Sequence, residues 1–272
     1  MAQALRTLER GIKVLGALET MKGASLRTLH AQTGLPKPTL LRILETLEGG
    51  GLVWRSIYDG NWRRCAEWAA SAPHSSAYGR LVEVAAPHLV ALQRSVLWPS
   101  DLLVYRDHAM ELAESSRRLS GLALNPRYHI GYRIDLFLSA PGRAWLAFCT
   151  EAERAAVFAR FSACPPVNPR SAAVFEHEID DILQQTRARG YAVRDGLFGG
   201  SEQPRTAFDD GLDAIAVPVP GHGGVQAAIN LVWPRRYDLC AKIVEAHLHE
   251  LQATARNIGL AYDTGAAPPA AR

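Results

Sequence analysis

The strongest constraint on this chain is the punctuation of its first 65 residues: three runs with helical periodicity, each stopped by glycine, then two aromatic runs that meet at Asp59-Gly60. Leu5, Leu8, Ile12, Leu15 and Leu18 recur every three or four residues and predict one amphipathic helix ending near Gly23. Ser25 offers an N-cap oxygen to a second, short helix that turns Leu26 and Leu29 inward. It stops at Thr33-Gly34, where glycine permits the sharp turn of a helix-turn-helix. A third helix follows Leu35-Pro36 and ends at Gly49-Gly50-Gly51, with Leu40, Ile43, Leu44 and Leu47 on one side and Pro38, Leu41, Arg42 and Glu45 on the other. Leu52–Tyr58 and Asn61–Arg64 then flank Asp59-Gly60, a pair suited to a type I′ hairpin turn with positive φ at both central positions.

Three helices and a basic hairpin predict a winged helix-turn-helix over residues 1–65. Charge agrees: this segment holds ten Lys/Arg against five Asp/Glu, a net of +5, while the other 207 residues hold 20 and 22, a net of −2. A cationic head on a larger, slightly acidic body suits a nucleic-acid-binding module joined to a sensing or assembly domain. A helix laid in the major groove presents its N-terminal residues to base edges, so Lys37, Thr39 and Arg42 are candidate base contacts, Arg42 as a bidentate clamp on guanine. Leu41 either packs on a thymine methyl or rests against a neighbouring helix. Arg55, Arg63 and Arg64 on the wing would touch phosphate, unless they only solubilise an exposed hairpin. With Ser25, Arg27 and Pro38 these complete the expected DNA-binding set.

Residues 66–80, rich in Ala and Ser, read as a partly helical linker, 81–263 as the body, and 264–272 as a disordered tail. The body opens with a helix over 78–95 and a hairpin over 101–106 and 110–115. Further helices are expected at 151–161, 174–190 and 238–262, and strands at 191–194, 214–219 and 225–233. This order predicts an α+β body with a central antiparallel sheet. Ser139-Ala140-Pro141-Gly142 starts another helix, and its small residues suit either a carboxylate at the helix N-terminus or an ordinary tight start against the sheet.

Several chemistries are not encoded. There is no G-x-S-x-G elbow and no P-loop, and Gln226 stands where a dinucleotide fingerprint begun at Gly221 needs its last glycine. His247 and His249 stand two apart, which on a helix sends the rings about 200° apart, so they cannot share a metal. No catalytic constellation, metal site or cofactor is expected. Cys65, Cys149, Cys164 and Cys240 form no C-x-x-C pair and read as buried free thiols of a reduced, cytoplasmic protein. No charge-free apolar run is long enough for a membrane span, and the composition, 48% hydrophobic and 21% charged, suits packed cores.

The segments Ser25-Leu26-Arg27-Thr28-Leu29, Thr33-Gly34-Leu35-Pro36-Lys37, Arg42–Leu47 and Gly51-Leu52-Val53 resemble, in order and spacing, the head of the IclR family of bacterial transcriptional regulators. Pro38 departs from the Ser or Thr usual there; it removes a hydroxyl and an N–H that could hold phosphate. In the body, Ser139 to Ala147 and the spacing of Gly200, Ala214, Ile215, Ala216 and Val219 resemble the same family. The resemblance implies a GAF-like effector domain that binds a small acid on the sheet. The site would be bounded by Ser139, Ala140 and Pro141, by Ile215 and Val217, and by Asn230 and Val232, with the loop 196–210 closing its mouth. Pro204 and Ala207 stand where the family has Asp or Ser and then Glu, and Pro220-Gly221 replaces an aromatic-acid pair. The acidic pocket residue is therefore Asp209 or Asp210, or is absent. Trp98-Pro99-Ser100-Asp101 and Trp145–Cys149 resemble members that control breakdown of phenolic acids, so the implied effector is an aromatic acid. The expected protein is a DNA-binding regulator and not an enzyme. Its partners would be double-stranded operator DNA, the acid, and itself as homodimer or tetramer, with no membrane. Two alternatives remain open here: an enzyme that uses the pocket with the head as a localising module, and a head used for protein–protein assembly.

Overall fold

The structure is a computed structural model that describes residues 6–21, 23–65, 77–120 and 128–265. Most of the expected linker, and the tail beyond Gly265, lie outside these residues. The chain divides into two compact units between Ala86 and Pro87.

The first unit contains α1 (Arg6–Met21), α2 (Leu26–Thr33), α3 (Lys37–Gly49) and a hairpin of β1 (Val53–Arg55) and β2 (Trp62–Arg64). Ser25 caps α2 by accepting from the Thr28 amide at 3.1 Å, and Gly34 ends it with φ 70°. Pro38 is the second residue of α3, in the first turn, where a missing N–H breaks no helical bond. The segment after α1 joins the wing, since Ala24 and Trp62 exchange backbone hydrogen bonds at 2.9 and 2.8 Å. Val14, Leu18, Leu29, Leu40, Leu44 and Val53 form the core. Within α1 the periodicity misreads the buried side: Gly11, Val14 and Leu18 point inward, while Leu8 and Ile12 are each 60% exposed.

The wing turn also differs from expectation. Asp59 does not have positive φ, and the strands are joined by Ser56–Asn61, closed by Gly60 N–H to Ser56 C=O at 2.9 Å. The Asp59 carboxylate accepts from the Asn61 amide at 2.9 Å and grips Arg63, so it serves as a local cap. The two-residue turn with both φ positive occurs instead at Asp107 (46°) and His108 (69°), between paired Arg106 and Ala109, without any glycine.

The second unit is built on a six-stranded, wholly antiparallel sheet in the order β5-β4-β3-β8-β7-β6. Its strands are β3 (Asp101–Arg106), β4 (Ala109–Ser115), β5 (Arg133–Ile134), β6 (Ala192–Val193), β7 (Leu212–Gly221) and β8 (Gly224–Pro234). Leu102 pairs Glu114 and Leu103 pairs Leu112, leaving Ala113 as a bulge that increases the local twist. Helix α4 (Ala77–Ser95) contains the boundary between the units, which falls at its internal Pro87. Helices α5 (Ala140–Phe148) and α9 (Cys240–Thr264) pack on β7 and β8. The single helix expected over 174–190 is two, α7 (Pro169–His177) and α8 (Ile179–Arg189), parted at Glu178; α6 (Glu151–Ala163) precedes them. Strand β5 was not legible because two residues carry no period. Cys65 and Cys149 are buried as expected, but Cys164 caps the exposed end of α6 and Cys240 is half-buried.

Gly142 lets α5 approach the chain before it, because a Cβ there would lie 2.1 Å from the Leu136 carbonyl oxygen. Gly142→Ala must push backbone apart inside a packed core, and is expected to cost about 1–3 kcal/mol or more. Urea unfolding of the purified protein measures it; an unchanged midpoint would show that the helix start can yield.

Candidate DNA interface and ligand cavity

In the first unit, the outward side of α3 is as patterned. Pro38, Leu41, Arg42 and Glu45 are exposed, as are Lys37 and, on α2, Arg27. Arg27, Lys37 and Arg42 have no ion-pair partner among the described residues, so their charge is available to a phosphate or a base edge. Leu41 is 39% exposed and is not covered by a neighbouring helix of this unit. Thr39 and Arg42 also line a groove with Thr7, Leu8, Arg10 and Gly11 of α1. Ser25 is occupied as a cap, with its hydroxyl 2.8 Å from that of Thr28.

The wing arginines are not equivalent. Arg63 holds Asp59 with two hydrogen bonds of 3.0 and 2.8 Å, and Arg64 pairs with Glu19 of α1 at 2.7 Å. Arg55 is exposed and donates to the Gly60 carbonyl at 3.1 Å, with no ion-pair partner among the described residues. Sequence spacing could not distinguish a cation bound to the wing from one free on it.

In the second unit a cavity of about 30 Å³ lies between the sheet and the start of α5. Ser139, Ala140 and Pro141 line it from the helix, and Ala214, Asn230 and Val232 from β7 and β8. Alternation along β7 sends Ile215 and Val217 to the opposite face, so these two, expected as walls, are not brought to the cavity. Leu103 and Leu112 complete the sheet side, and Phe198, from the loop expected to close the mouth, lines it too. The first-turn amides of α5 are less available than small residues suggest: Ser139 Oγ accepts from Gly142 N–H at 3.1 Å, and Pro141 has no N–H.

Asp101, Arg117, Arg194 and Tyr128 line this space, and Asp210 holds two of them, Arg194 and Tyr128. Asp101 accepts from Arg117 Nε at 2.9 Å and Nη2 at 2.7 Å, from Ser115 Oγ at 2.6 Å, and from Asn230 Nδ2 at 3.3 Å. Asn230 in return accepts from the Asp101 backbone N–H at 2.8 Å, fixing the amide's orientation. Asp210 accepts from Arg194 at 2.6 and 3.0 Å and from the Tyr128 hydroxyl. The Arg117 guanidinium lies 4.4 Å from the Tyr128 ring centre, and Arg194 4.5 Å from that of Phe198. Arg117 Nη1 and Arg194 Nε are buried and have no hydrogen-bond partner among the described residues.

Of the two acids named from sequence, Asp210 bonds to the lining residues Arg194 and Tyr128 without itself lining the cavity. Asp209, its neighbour, turns outward and pairs with Arg205 at 2.6 Å and Arg235 at 3.3 Å. Asp101, Arg117, Tyr128 and Arg194 were missed as site residues. One signal was legible: Asp101 heads the apolar run Asp-Leu-Leu-Val in phase with inward Leu103, and an inward carboxylate needs a partner.

Burial pushes the Asp101 carboxyl up, but the Arg117 charge and the hydrogen bonds outweigh it and hold it below the usual carboxylate range. Burial raises the Tyr128 hydroxyl, and nearby Asp210 raises it further, so it remains a donor. Among the described residues no group of three His, Cys, Asp or Glu could hold a metal, and no helix is long and apolar enough to cross a membrane.

A winged helix-turn-helix with an exposed cationic recognition face, carried with a body built on a curled antiparallel sheet, defines a DNA-binding transcriptional regulator. The chain belongs to the IclR family: residues 7–56 match the model of the IclR helix-turn-helix domain, and residues 77–260 that of the bacterial transcriptional regulator IclR C-terminal domain. These are models of regulators, not enzymes. A curated relative, the DNA-binding transcriptional repressor YiaJ of Escherichia coli (strain K12), is 25% identical over 232 residues, 83% of this chain and 77% of that protein. Among solved structures, a transcriptional regulator from Rhodococcus sp. RHA1 is similar in fold, with a TM-score of 0.55 at 21% identity, covering 96% of this chain and 99% of that one. So is an IclR homologue from Microbacterium hydrocarbonoxydans complexed with 4-hydroxybenzoate, with a TM-score of 0.52 at 23% identity, covering 93% and 98%.

The lowered Asp101 carboxyl has a consequence for stability. A group whose folded pKa lies below its unfolded value stabilises the fold above the unfolded pKa, and that contribution is lost as pH falls through the folded value. Asp101→Asn removes the counter-charge of buried Arg117 and is expected to cost about 3–5 kcal/mol at pH 7. The gap to wild type should narrow as pH falls below about 4, where Asp101 takes up a proton in the unfolded wild-type chain while the folded carboxylate still resists it. Urea midpoints of both proteins at pH 7 and pH 3 test this; a constant gap would mean that the ion pair is not the source.

Proposed function

We propose that this protein is a cytoplasmic, ligand-controlled regulator: α3 and the wing bind operator DNA, and a small organic acid, aromatic in character, bound in the cavity of the body controls that binding. The observation that carries the DNA reading is the exposed, unpaired set Arg27, Lys37 and Arg42 on α2 and α3. Arg42 is the base-reading residue; Lys37, Thr39 and Pro38 stand at the same helix start, and Leu41 offers a methyl-contacting surface. Arg55, unpaired on the wing, adds affinity without specificity, while Arg63 and Arg64 chiefly shape the wing and its attachment to α1.

Three features support the acid reading. The cavity combines apolar walls with a few convergent polar groups. Two of its lining arginines keep a buried donor without an acceptor among the described residues, which suits an oxygen-bearing ligand, and a structural neighbour carries 4-hydroxybenzoate. At about 30 Å³ it holds a water or two but no ring, so a ring acid must move Phe198 or Tyr128 outward. That difference between states is what allows a ligand to bias DNA binding. Exposed Leu8 and Ile12 on α1, beside the groove with α3, favour self-association of heads on a roughly palindromic operator.

Binding to DNA upstream of the protein's own coding region, measured over a salt series with and without phenolic acids, tests the reading. Arg42→Ala should cost about 1–3 kcal/mol and relax sequence preference. Arg55→Ala should weaken all DNA alike and flatten the salt slope by about one, whereas Arg63→Ala should flatten it less because Asp59 already neutralises that charge. Binding indifferent to salt would favour a head used for protein assembly, and detectable turnover of a bound acid would overturn the regulator reading of the cavity.

A further inference from the structure

The ring around the cavity is electrically closed. Arg117 is neutralised by Asp101 through two hydrogen bonds, and Arg194 by Asp210 through two more. The side chains of Arg194 and Asp210 are 6% and 0% exposed, so solvent does not screen this pair. Yet among the described residues each arginine keeps one buried nitrogen without an acceptor, Arg117 Nη1 and Arg194 Nε, and both arginines line the same cavity. A buried guanidinium with an unmet donor calls for an oxygen. An anionic oxygen would bring an uncompensated charge into a buried, neutral quartet, which is strongly unfavourable. An uncharged oxygen meets the donors without that penalty.

Resting on the acid reading above, we infer that Arg117 and Arg194 anchor the ligand through an uncharged oxygen, a hydroxyl or carbonyl, and that Asp101 and Asp210 select against a carboxylate at that end. A hydroxy acid therefore presents its hydroxyl to the two arginines and its carboxylate elsewhere. The aspartates act as specificity-determining residues, because they spend the positive charge that would otherwise attract an anion.

The experiment keeps one carboxylate constant and varies the group opposite it. Binding of 4-hydroxybenzoate, 4-methylbenzoate and terephthalate to the full-length protein is measured by titration calorimetry. In wild type, 4-hydroxybenzoate should bind at least about tenfold tighter than 4-methylbenzoate, and terephthalate weakest of the three. Asp210→Asn, which removes one negative charge at nearly constant shape, should raise terephthalate relative to 4-hydroxybenzoate by at least about tenfold. The readout is a ratio of two ligands on one protein, so partial loss of folded protein cancels. Arg194→Lys keeps a charge but removes Nε, and should shrink the preference for hydroxyl over methyl. Tightest binding by terephthalate in wild type, or a ligand ratio untouched by Asp210→Asn, would overturn this inference alone. Failure of all three compounds to bind would overturn the aromatic-acid reading of the cavity and this inference with it.

Discussion

The body depends on one buried cation. Arg143, 5% exposed on α5, donates to the Phe137 carbonyl at 2.7 Å, to the Val193 carbonyl at 3.2 Å and to Asp195 at 2.8 Å. It thus ties the approach to α5, the end of β6 and the loop that follows. Burial lowers the Arg143 pKa, and Asp195 works against that; the Asp195 carboxyl, pushed up by burial, is nevertheless held below its usual range by Arg170 and Arg143. Both shifts leave the pair ionised at neutral pH. A buried ion pair adds little net stability over an apolar substitute, but it allows few alternative arrangements. The result is a fixed position for the start of α5, whose residues 139–141 form one wall of the cavity.

The same pair begins the loop that forms the opposite wall. Asp195 is fastened by Arg143 and Arg170, and fifteen residues later Asp210 is fastened by Arg194, with Asp209 held by Arg205 and Arg235. Between these anchors Phe198 lines the cavity, and Gly199 lies where a Cβ would meet the Phe208 carbonyl oxygen at 1.9 Å. The loop is therefore folded against itself and pinned at both ends, so on the proposed reading a ligand would have to select among its few well-packed arrangements. A ligand that favours one of them can supply a coupling of about 1–3 kcal/mol to whatever else that choice affects.

Most of the head was legible because its information is local. Caps, glycine stops and a 3.6-residue period fix α2 and α3 to within a residue or two, and the outward set on α3 follows from the wheel. The errors there are also physical. The α1 wheel contains apolar residues on two sides and does not say which is buried, and Asp59-Gly60 satisfies the composition of a tight turn without adopting it. In the body, the long strands and helices were legible, but the polar ring was not. Asp101 and Arg117 are brought together by the bulge and register of one hairpin, whereas Arg194 and Asp210 meet across a loop, and neither distance is periodic in sequence. Ile215 and Val217 were misassigned for a simpler reason: a strand buried on both faces has no polar phase to mark which side meets the cavity.

The sensor role proposed for this body requires a resting state that is well formed but not fully satisfied. Pairing each arginine internally achieves the first condition, since neither the Arg117 nor the Arg194 charge is left bare. The two donors without acceptors achieve the second, because a buried unmet donor carries a penalty of about 1–3 kcal/mol that a suitable oxygen removes. On the proposed reading the gain on binding would arise at the cavity, which Phe198 and Tyr128 line together with the start of α5. Because Arg143 locks the α5 side, relief of that penalty by the proposed ligand would be expressed on the loop side.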